Sequence, residues 1–305
     1  MPFNYQSVRQ QIRASATGTK IRHTAPSRIS EVKVRIPSSV QGQRYIASIL
    51  SAYDDLIENC QRRIRILEEM ARSLYREWFV QFRFPGHENH PRVSSPLGEI
   101  PKGWSVKKIG DVAQTLRGRS YRSTELADEG GLPFLNLKCI DRDGGFRRSG
   151  IKRYVGDYKD SHLAKRGDIL VAVTDMTQER RLVAHAALVP SIGTDFGVFS
   201  MDLVRVVPML SVPSYFLYGL LRFSGFSDEV KQHANGANVL HLSPERITDF
   251  NCILPPMKLM ERYSNVVTGY LDLVDTLESK IDCLRQTRDL LLPRLLSGQV
   301  DLKVA

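Results

Sequence analysis

The chain has 305 residues, 42% hydrophobic and 25% charged, which is the composition of a folded globular protein with room for one large or two modest domains and excludes a disordered chain. A formal net charge of +10 and a pI near 9.5 favour a polyanionic partner. The four cysteines, Cys60, Cys139, Cys252 and Cys283, form no CxxC pair and no histidines cluster, so a reduced cytoplasmic protein fits and a zinc site does not.

The opening MPFNYQSVRQQIRA lacks the apolar core of a signal peptide, and its pattern predicts a short helix over about 5–14. Residues 1–36 form a basic stub, with seven Lys/Arg against Glu31 alone; a turn at Gly18, a Ser/Pro-initiated turn and a short strand, EVKVRIP, follow. A first long helix is predicted over about 40–82, ending at Pro85-Gly86, and then a Pro/Gly/Ser/His linker over 83–103. From Trp104 to Pro255 the pattern is mixed α/β. Strands are predicted at 105–116, 132–140, 168–174, 183–189 and 198–207, separated by turns such as Asp143-Gly144-Gly145 and Arg166-Gly167-Asp168. An amphipathic helix, Tyr215–Ala234, is expected after Pro213. The most apolar stretch, 201–221, is broken by Arg205, Pro208 and Pro213, so no membrane span is expected. A second long helix runs from about 257 to 296.

Part of the chain occurs twice. Residues 18–45, GTKIRHTAPSRISEVKVRIPSSVQGQRY, return about 217 residues later as GANVLHLSPERITDFNCILPPMKLMERY, residues 236–263. Gly18/Gly236, His23/His241, Pro26/Pro244, Arg28/Arg246, Ile29/Ile247, Pro37/Pro255, Arg44/Arg262 and Tyr45/Tyr263 coincide. Each copy leads into a heptad helix. The first seam is Ile46, Leu50, Tyr53, Ile57, Cys60, Ile64, Leu67, Ala71, Leu74 and Trp78. The second is Tyr263, Val267, Tyr270, Val274, Leu277, Ile281, Leu284, Arg288, Leu291 and Leu295. A 3.5-residue period kept this long signals a coiled coil, and packed antiparallel the two helices would form a rigid spacer. The domains expected are therefore a remnant (1–38), a first helical region (39–83), a linker (84–103), a globular domain (104–255), a second helical region (256–298) and a tail (299–305).

No catalytic constellation stands out. There is no GxxxxGK[ST] loop, no GxGxxG after a strand and no Asn/Asp-Pro-Pro-Tyr/Phe tetrapeptide, and His87-Glu88-Asn89-His90 lacks the i, i+4 spacing of a zinc helix. Asp168 and Glu179 lack the lysine of a nuclease set, and Gly167-Asp168 reads as a strand-entry turn. The polar loops are more informative, because base readout uses Arg, Lys, Asn and Gln while phosphate contacts use Lys, Arg, Ser, Thr and backbone N–H. Three segments supply such groups: Arg117, Arg119, Ser120, Tyr121 and Arg122; Thr177, Gln178, Arg180 and Arg181; Asn235 and Asn238. Arg147, Arg148, Lys152 and Arg153 form a phosphate-type cluster. Each also reads as a solvated surface loop. His23 and His241 read as a shared turn contact, and Trp78 and Trp104 as core anchors.

LGEIPKGWSVKKIGDVA (97–113), the repeated 236–256 segment, and the two helices with the ending LLPRLLSGQV together resemble the DNA-specificity subunit of type I restriction-modification systems over nearly the whole chain. The resemblance implies a fold of one mixed α/β target-recognition domain (α+β class) with two long helices in an antiparallel coiled coil. It implies a non-catalytic chain that binds double-stranded DNA and docks methyltransferase subunits and, through the complex, the restriction subunit. Cofactors, S-adenosylmethionine and ATP, would belong to those partners, and this chain would hold none. The family carries two recognition domains, each reading half of a bipartite site; here one is complete, and residues 1–37 match the end of another. A half-subunit that forms a homodimer, a truncated remnant and one piece of a split subunit all remain open, as does the alternative of a coiled-coil scaffold with a protein-binding domain.

Overall fold

The computed structural model describes residues 6–18, 22–34, 37–209, 211–297 and 299. Seven α-helices occur among them: α1 (Gln6–Ser15), α2 (Pro26–Ser30), α3 (Val40–Tyr75), α4 (Ser214–Phe223), α5 (Phe226–Val230), α6 (Glu245–Thr248) and α7 (Met257–Leu296). The chain divides into two units, Met1–Arg65 with Thr276–Ala305, and Ile66–Asp275.

The two long helices follow from their apolar period and their boundaries. Ser39 begins α3 by accepting the Gly42 N–H at 3.3 Å, which satisfies one of the otherwise unpaired donors of the first turn. At its far end the helix widens into a π turn, Arg76–Val80, which buries the adjacent Trp78 and Phe79 together. All twenty seam positions are buried or half-buried. Within the first unit, Arg288, the one charged residue of the second seam, donates to Asp54 of α3 at 2.5 Å. Within the second, Tyr263 of α7 meets Tyr75 at the end of α3, with ring centroids 5.7 Å apart.

Also in the first unit, α1 is tied to the segment after α2: the Gln11 amide donates to the Lys33 carbonyl and accepts the Lys33 N–H, both at 3.0 Å. Val32–Val34 form no strand, contrary to the expectation for EVKVRIP, and Arg35 and Ile36 lie outside the described residues. The repeat is visible in the backbone. Thr17 and His23 exchange both main-chain hydrogen bonds (3.0 and 2.8 Å), and Asn235 and His241 do the same at 3.0 and 2.8 Å. Gly18 and Gly236, with φ of 121° and 148°, follow the first residue of each bridge.

The second unit carries fifteen short strands: β1 (Arg92–Ser95), β2 (Gly98–Pro101), β3 (Ser105–Lys108), β4 (Ala113–Arg117), β5 (Leu126–Ala127), β6 (Leu132–Leu135), β7 (Lys152–Tyr154), β8 (Leu163–Ala164), β9 (Ile169–Ala172), β10 (Thr174–Asp175), β11 (Ala186–Leu188), β12 (Gly197–Phe199), β13 (Leu203–Pro208), β14 (Leu240–His241) and β15 (Asn251–Leu254). An antiparallel sheet has the order β11-β9-β13-β4, and a second has the order β5-β7-β6-β12-β8 with β6 and β12 parallel. β3 pairs with β15, so the first and last strands of the domain leave side by side. The continuous apolar run Ile169–Ala172 is buried throughout, as a central strand covered on both faces requires. Phe216, Leu217, Leu220 and Leu221 of α4 join Val171, Val204 and Val206 in the main core.

Several predicted elements are subdivided. The helix expected over 215–234 breaks at Gly225 (φ 92°) into α4, α5 and a 3-10 turn. The strand expected over 132–140 stops at Leu135, where the Asn136 side chain accepts the Lys138 N–H at 2.9 Å and starts a turn. The strand over 105–116 is interrupted by a 3-10 turn that buries Ile109, and 198–207 by Ser200–Asp202. The expected linker holds the β1–β2 hairpin, with Phe84, Ile100 and Trp104 buried.

Phe79 touches the rings of Tyr75, Trp78, Trp104, Phe216 and Tyr263. Phe79→Ala is therefore expected to cost about 3–5 kcal/mol in urea unfolding. The Tyr263 hydroxyl is buried with no hydrogen-bond partner among the described residues. Tyr263→Phe is expected to leave the unfolding midpoint unchanged or raise it, since it removes an unpaired buried polar group. Burial pushes the Cys139 thiol up to about 11 and the Cys252 thiol up to about 12, whereas Cys283 is exposed. Under native conditions at neutral pH a thiol reagent should modify Cys283 fast and Cys139 and Cys252 only on unfolding, as site-resolved mass spectrometry would read.

Candidate functional site

The loop after β4 lies against the start of the loop after β12. A Cβ on Gly118 would sit 2.1 Å from the Ser200 carbonyl oxygen, so only glycine permits this approach. Arg119 follows, its N–H on the Phe199 carbonyl at 2.8 Å. Its Nε donates to the Asp157 carbonyl at 3.0 Å and to the Tyr154 hydroxyl at 3.3 Å. Tyr121 packs edge-on to Phe134 at 4.6 Å, and burial raises its phenol. Both side chains thus brace the loop. Ser120 and Arg122 are exposed, and Arg117 forms a solvent-screened pair with Glu245 at 3.8 Å. Lys152 and Arg153 on β7 are exposed, carry no side-chain hydrogen bond among the described residues, and line an open cavity of 420 Å³ with Asp128 and Ile192.

The loop 176–181 is organised by Asp175, a fully buried carboxylate that sequence reasoning missed. One of its oxygens accepts the Thr177 N–H and hydroxyl, both at 2.9 Å; the other accepts the N–H groups of Leu182 (2.7 Å) and Val183 (3.3 Å). Burial pushes this carboxyl up, but the hydrogen bonds from Leu182, Thr177 and Val183 outweigh it and hold it below the usual carboxylate range. The Asp-x-Thr pattern, an Asx-turn signal, was the available sequence clue.

This loop is fastened to the segment 232–241. β10 pairs with β14, the Gln178 amide donates to the Ala237 carbonyl at 2.9 Å, and Arg180 donates to the Gln232 side chain at 2.8 Å. Arg181 pairs with Asp143 at 2.7 Å; that hydrogen bond lowers the Asp143 pKa. Asn235 donates to the His233 carbonyl at 3.0 Å, whereas Asn238 is exposed and makes no side-chain hydrogen bond among the described residues. A Cβ on Gly236 would lie 1.9 Å from the Val239 oxygen. Nearby, Arg117 at the end of β4 pairs with Glu245 of α6, and the Val173 N–H before β10 donates to the Asp202 carbonyl in the loop after β12 (2.8 Å).

The fourth predicted cluster does not hold together. Lys152 and Arg153 belong to the β7 surface, while Arg147 donates to the Lys138 carbonyl at 2.9 Å. Arg148 is half-buried and bonds the Ser191 carbonyl and the Asp275 carboxylate of α7. Arg166 reaches Asp275 at 3.0 Å and Asp272 at 2.8 Å. Arg148 and Arg166 thereby form a clasp between the domain and α7, Arg148 through Asp275 and Arg166 through Asp272 and Asp275. Asp168 accepts the Lys165 N–H at 2.9 Å and pairs with Arg205, as a turn residue does.

Among the described residues, no group of three His, Cys, Asp or Glu side chains is placed to hold a metal ion, and no helix is long and apolar enough to cross a membrane. The chain is 27% identical over 307 residues to the specificity subunit of the type I restriction enzyme MjaIX of Methanocaldococcus jannaschii, covering 98% of this chain and 67% of that protein. It is 21% identical to the MjaVIII specificity subunit of the same organism, over 96% of this chain and 68% of that one. The crystal structure of a type I restriction-modification S subunit from M. genitalium shares its fold, with a TM-score of 0.57 at 17% identity over 97% of this chain and 74% of that one. Residues 101–281 match the type I restriction modification DNA specificity domain, which is more than half of the sequence. The chain belongs to that family, as a DNA-recognition subunit of the non-catalytic, specificity class whose catalysis lies in partner subunits.

Proposed function

We propose that this chain reads one part of a bipartite double-stranded DNA target and directs the methyltransferase and restriction subunits of its complex to it. The observation that carries the reading is the fastened pair of loops, 176–181 and 232–241. Their bracing side chains are held within the protein, while Arg122, Lys152, Arg153 and Asn238 stay exposed. Asn238 is suited to an adenine edge, and the cations to phosphate. Arg119, Thr177, Gln178, Arg180 and Arg181 act in this reading as braces, with the exposed Ser120 and Arg122 supporting phosphate contacts.

Two arms of recognition are supported by the repeat. Residues fully or nearly buried in the second copy have half-exposed counterparts in the first: Ile247 at 0% against Ile29 at 36%, Cys252 at 4% against Val34 at 37%, and Tyr263 at 0% against Tyr45 at 39%. The apolar face of the first copy fits a second recognition domain of the same kind, and pairing with another copy of this chain supplies one. Two-fold symmetry of such a pair requires a palindromic two-part target.

Adenine methylation mapped in cells with and without the chain, together with its methyltransferase subunit, tests this reading. A palindromic two-part motif is expected; an asymmetric one would mean that a different chain supplies the second reader, and no chain-dependent motif would sink the proposal. In DNA-binding titrations of the complex, Lys152→Ala and Arg153→Ala should weaken binding similarly across sequences and each reduce the salt slope by about 1. Asn238→Ala should instead cost about 1–3 kcal/mol of discrimination at one base pair.

A further inference from the structure

Neither the repeat nor the exposed cations explain what keeps the recognition loops in one conformation. The loop 176–184 is strained: Arg180 and Ala184 are non-glycine residues at φ 55° and 64°, and the Arg180 Nε is buried without a partner. A surface loop relaxes out of such a state unless a stronger set of contacts holds it. Asp175 supplies them. Its two oxygens close both ends of the loop, one on Thr177 and the other on Leu182 and Val183. From the loop so shaped, Gln178 and Arg180 reach across to residues 232–237, the segment that presents Asn238.

We propose that Asp175 is the specificity-positioning residue of the recognition domain: a buried latch that touches no DNA and sets, through one loop, the placement of both. The inference rests on the DNA-reading function proposed above. Asparagine at this position is the same size but must turn an NH2 toward one of the two donor pairs, so Asp175→Asn opens one end of the loop without emptying space.

The test is methylation mapping with the full complex carrying the parent chain, Asp175→Asn or Thr177→Val, read as the ratio of methylation at single-base-variant sites to that at the parent motif. Loosened loops should raise this ratio by about tenfold at adjacent positions of one half-site for Asp175→Asn, and less at the same positions for Thr177→Val. A purely structural role would lower methylation at all sites and leave the ratio unchanged, which would overturn the latch. Should the asparagine variant fail to assemble, Thr177→Val decides: its hydroxyl is on an exposed loop, and an unchanged ratio there refutes the inference. A parent complex with a motif but variants of unchanged selectivity removes the latch alone, whereas a parent complex with no chain-dependent motif removes the function reading and the latch together.

Discussion

Tyr263 is fully buried where the end of α3, the middle of α4 and the start of α7 meet, and the second unit is assembled around it. Its ring lies 5.1 Å from Phe79, 5.7 Å from Tyr75 and 6.3 Å from Trp78, mostly edge to face. Such pairs contribute directional attraction beyond the area they bury. Space for the ring exists because residue 219 is glycine: a Cβ there would come within 2.7 Å of Tyr75 and 2.8 Å of the Tyr263 hydroxyl. The π turn matters for the same reason, since it buries Trp78 and Phe79 together. Within the second unit the end of α3, the start of α7 and the domain therefore share one core. The Arg148 and Arg166 clasp on Asp272 and Asp275 then fixes the rim of the domain to the same helix.

A rigid mount is useful to a reader of DNA because a base contact discriminates only while donor and acceptor are held in place. The loops show how that rigidity arises. Much of the polar chemistry in them is intramolecular: Arg119 on Asp157, Gln178 on Ala237, Arg180 on Gln232 and Arg181 on Asp143. These bonds restrain the loops before any ligand arrives, which lowers the ordering cost of binding. The basic excess of the chain thus divides between groups that build the surface and groups that face solvent from it.

The repeat connects these two levels. The same main-chain bridge and the same left-handed glycine recur at Thr17–His23 and Asn235–His241, followed by a short helix and then a long one. In the second copy the apolar residues of this module are covered by the domain that precedes it; in the first they are half-exposed. One backbone module, a bridge followed by a short and then a long helix, occurs at two places with different cover over each.

Period and punctuation in the sequence were enough to determine the two long helices, the repeat and the mixed α/β character of 104–255, because these depend on local spacing that any packed chain must respect. The resemblance carried by 97–113, the repeated segment and the helices was enough to locate the family. The break at Gly225, the stop at Asn136 and the hairpin inside 83–103 needed the fold, since there a turn residue or a buried side chain overrides the run of propensity. The loops needed it most. A sequence shows that Arg148, Gln178 and Arg122 are polar and basic, but not that Asp275 lies 127 residues away yet within bonding reach of the first, that Ala237 accepts from the second, or that the third stays exposed. Asp175 is the extreme case: a carboxylate in a polar segment reads as solvated, and only tertiary structure, by burying it against the N–H groups of Leu182 and Val183, decides that it shapes the surface instead of belonging to it.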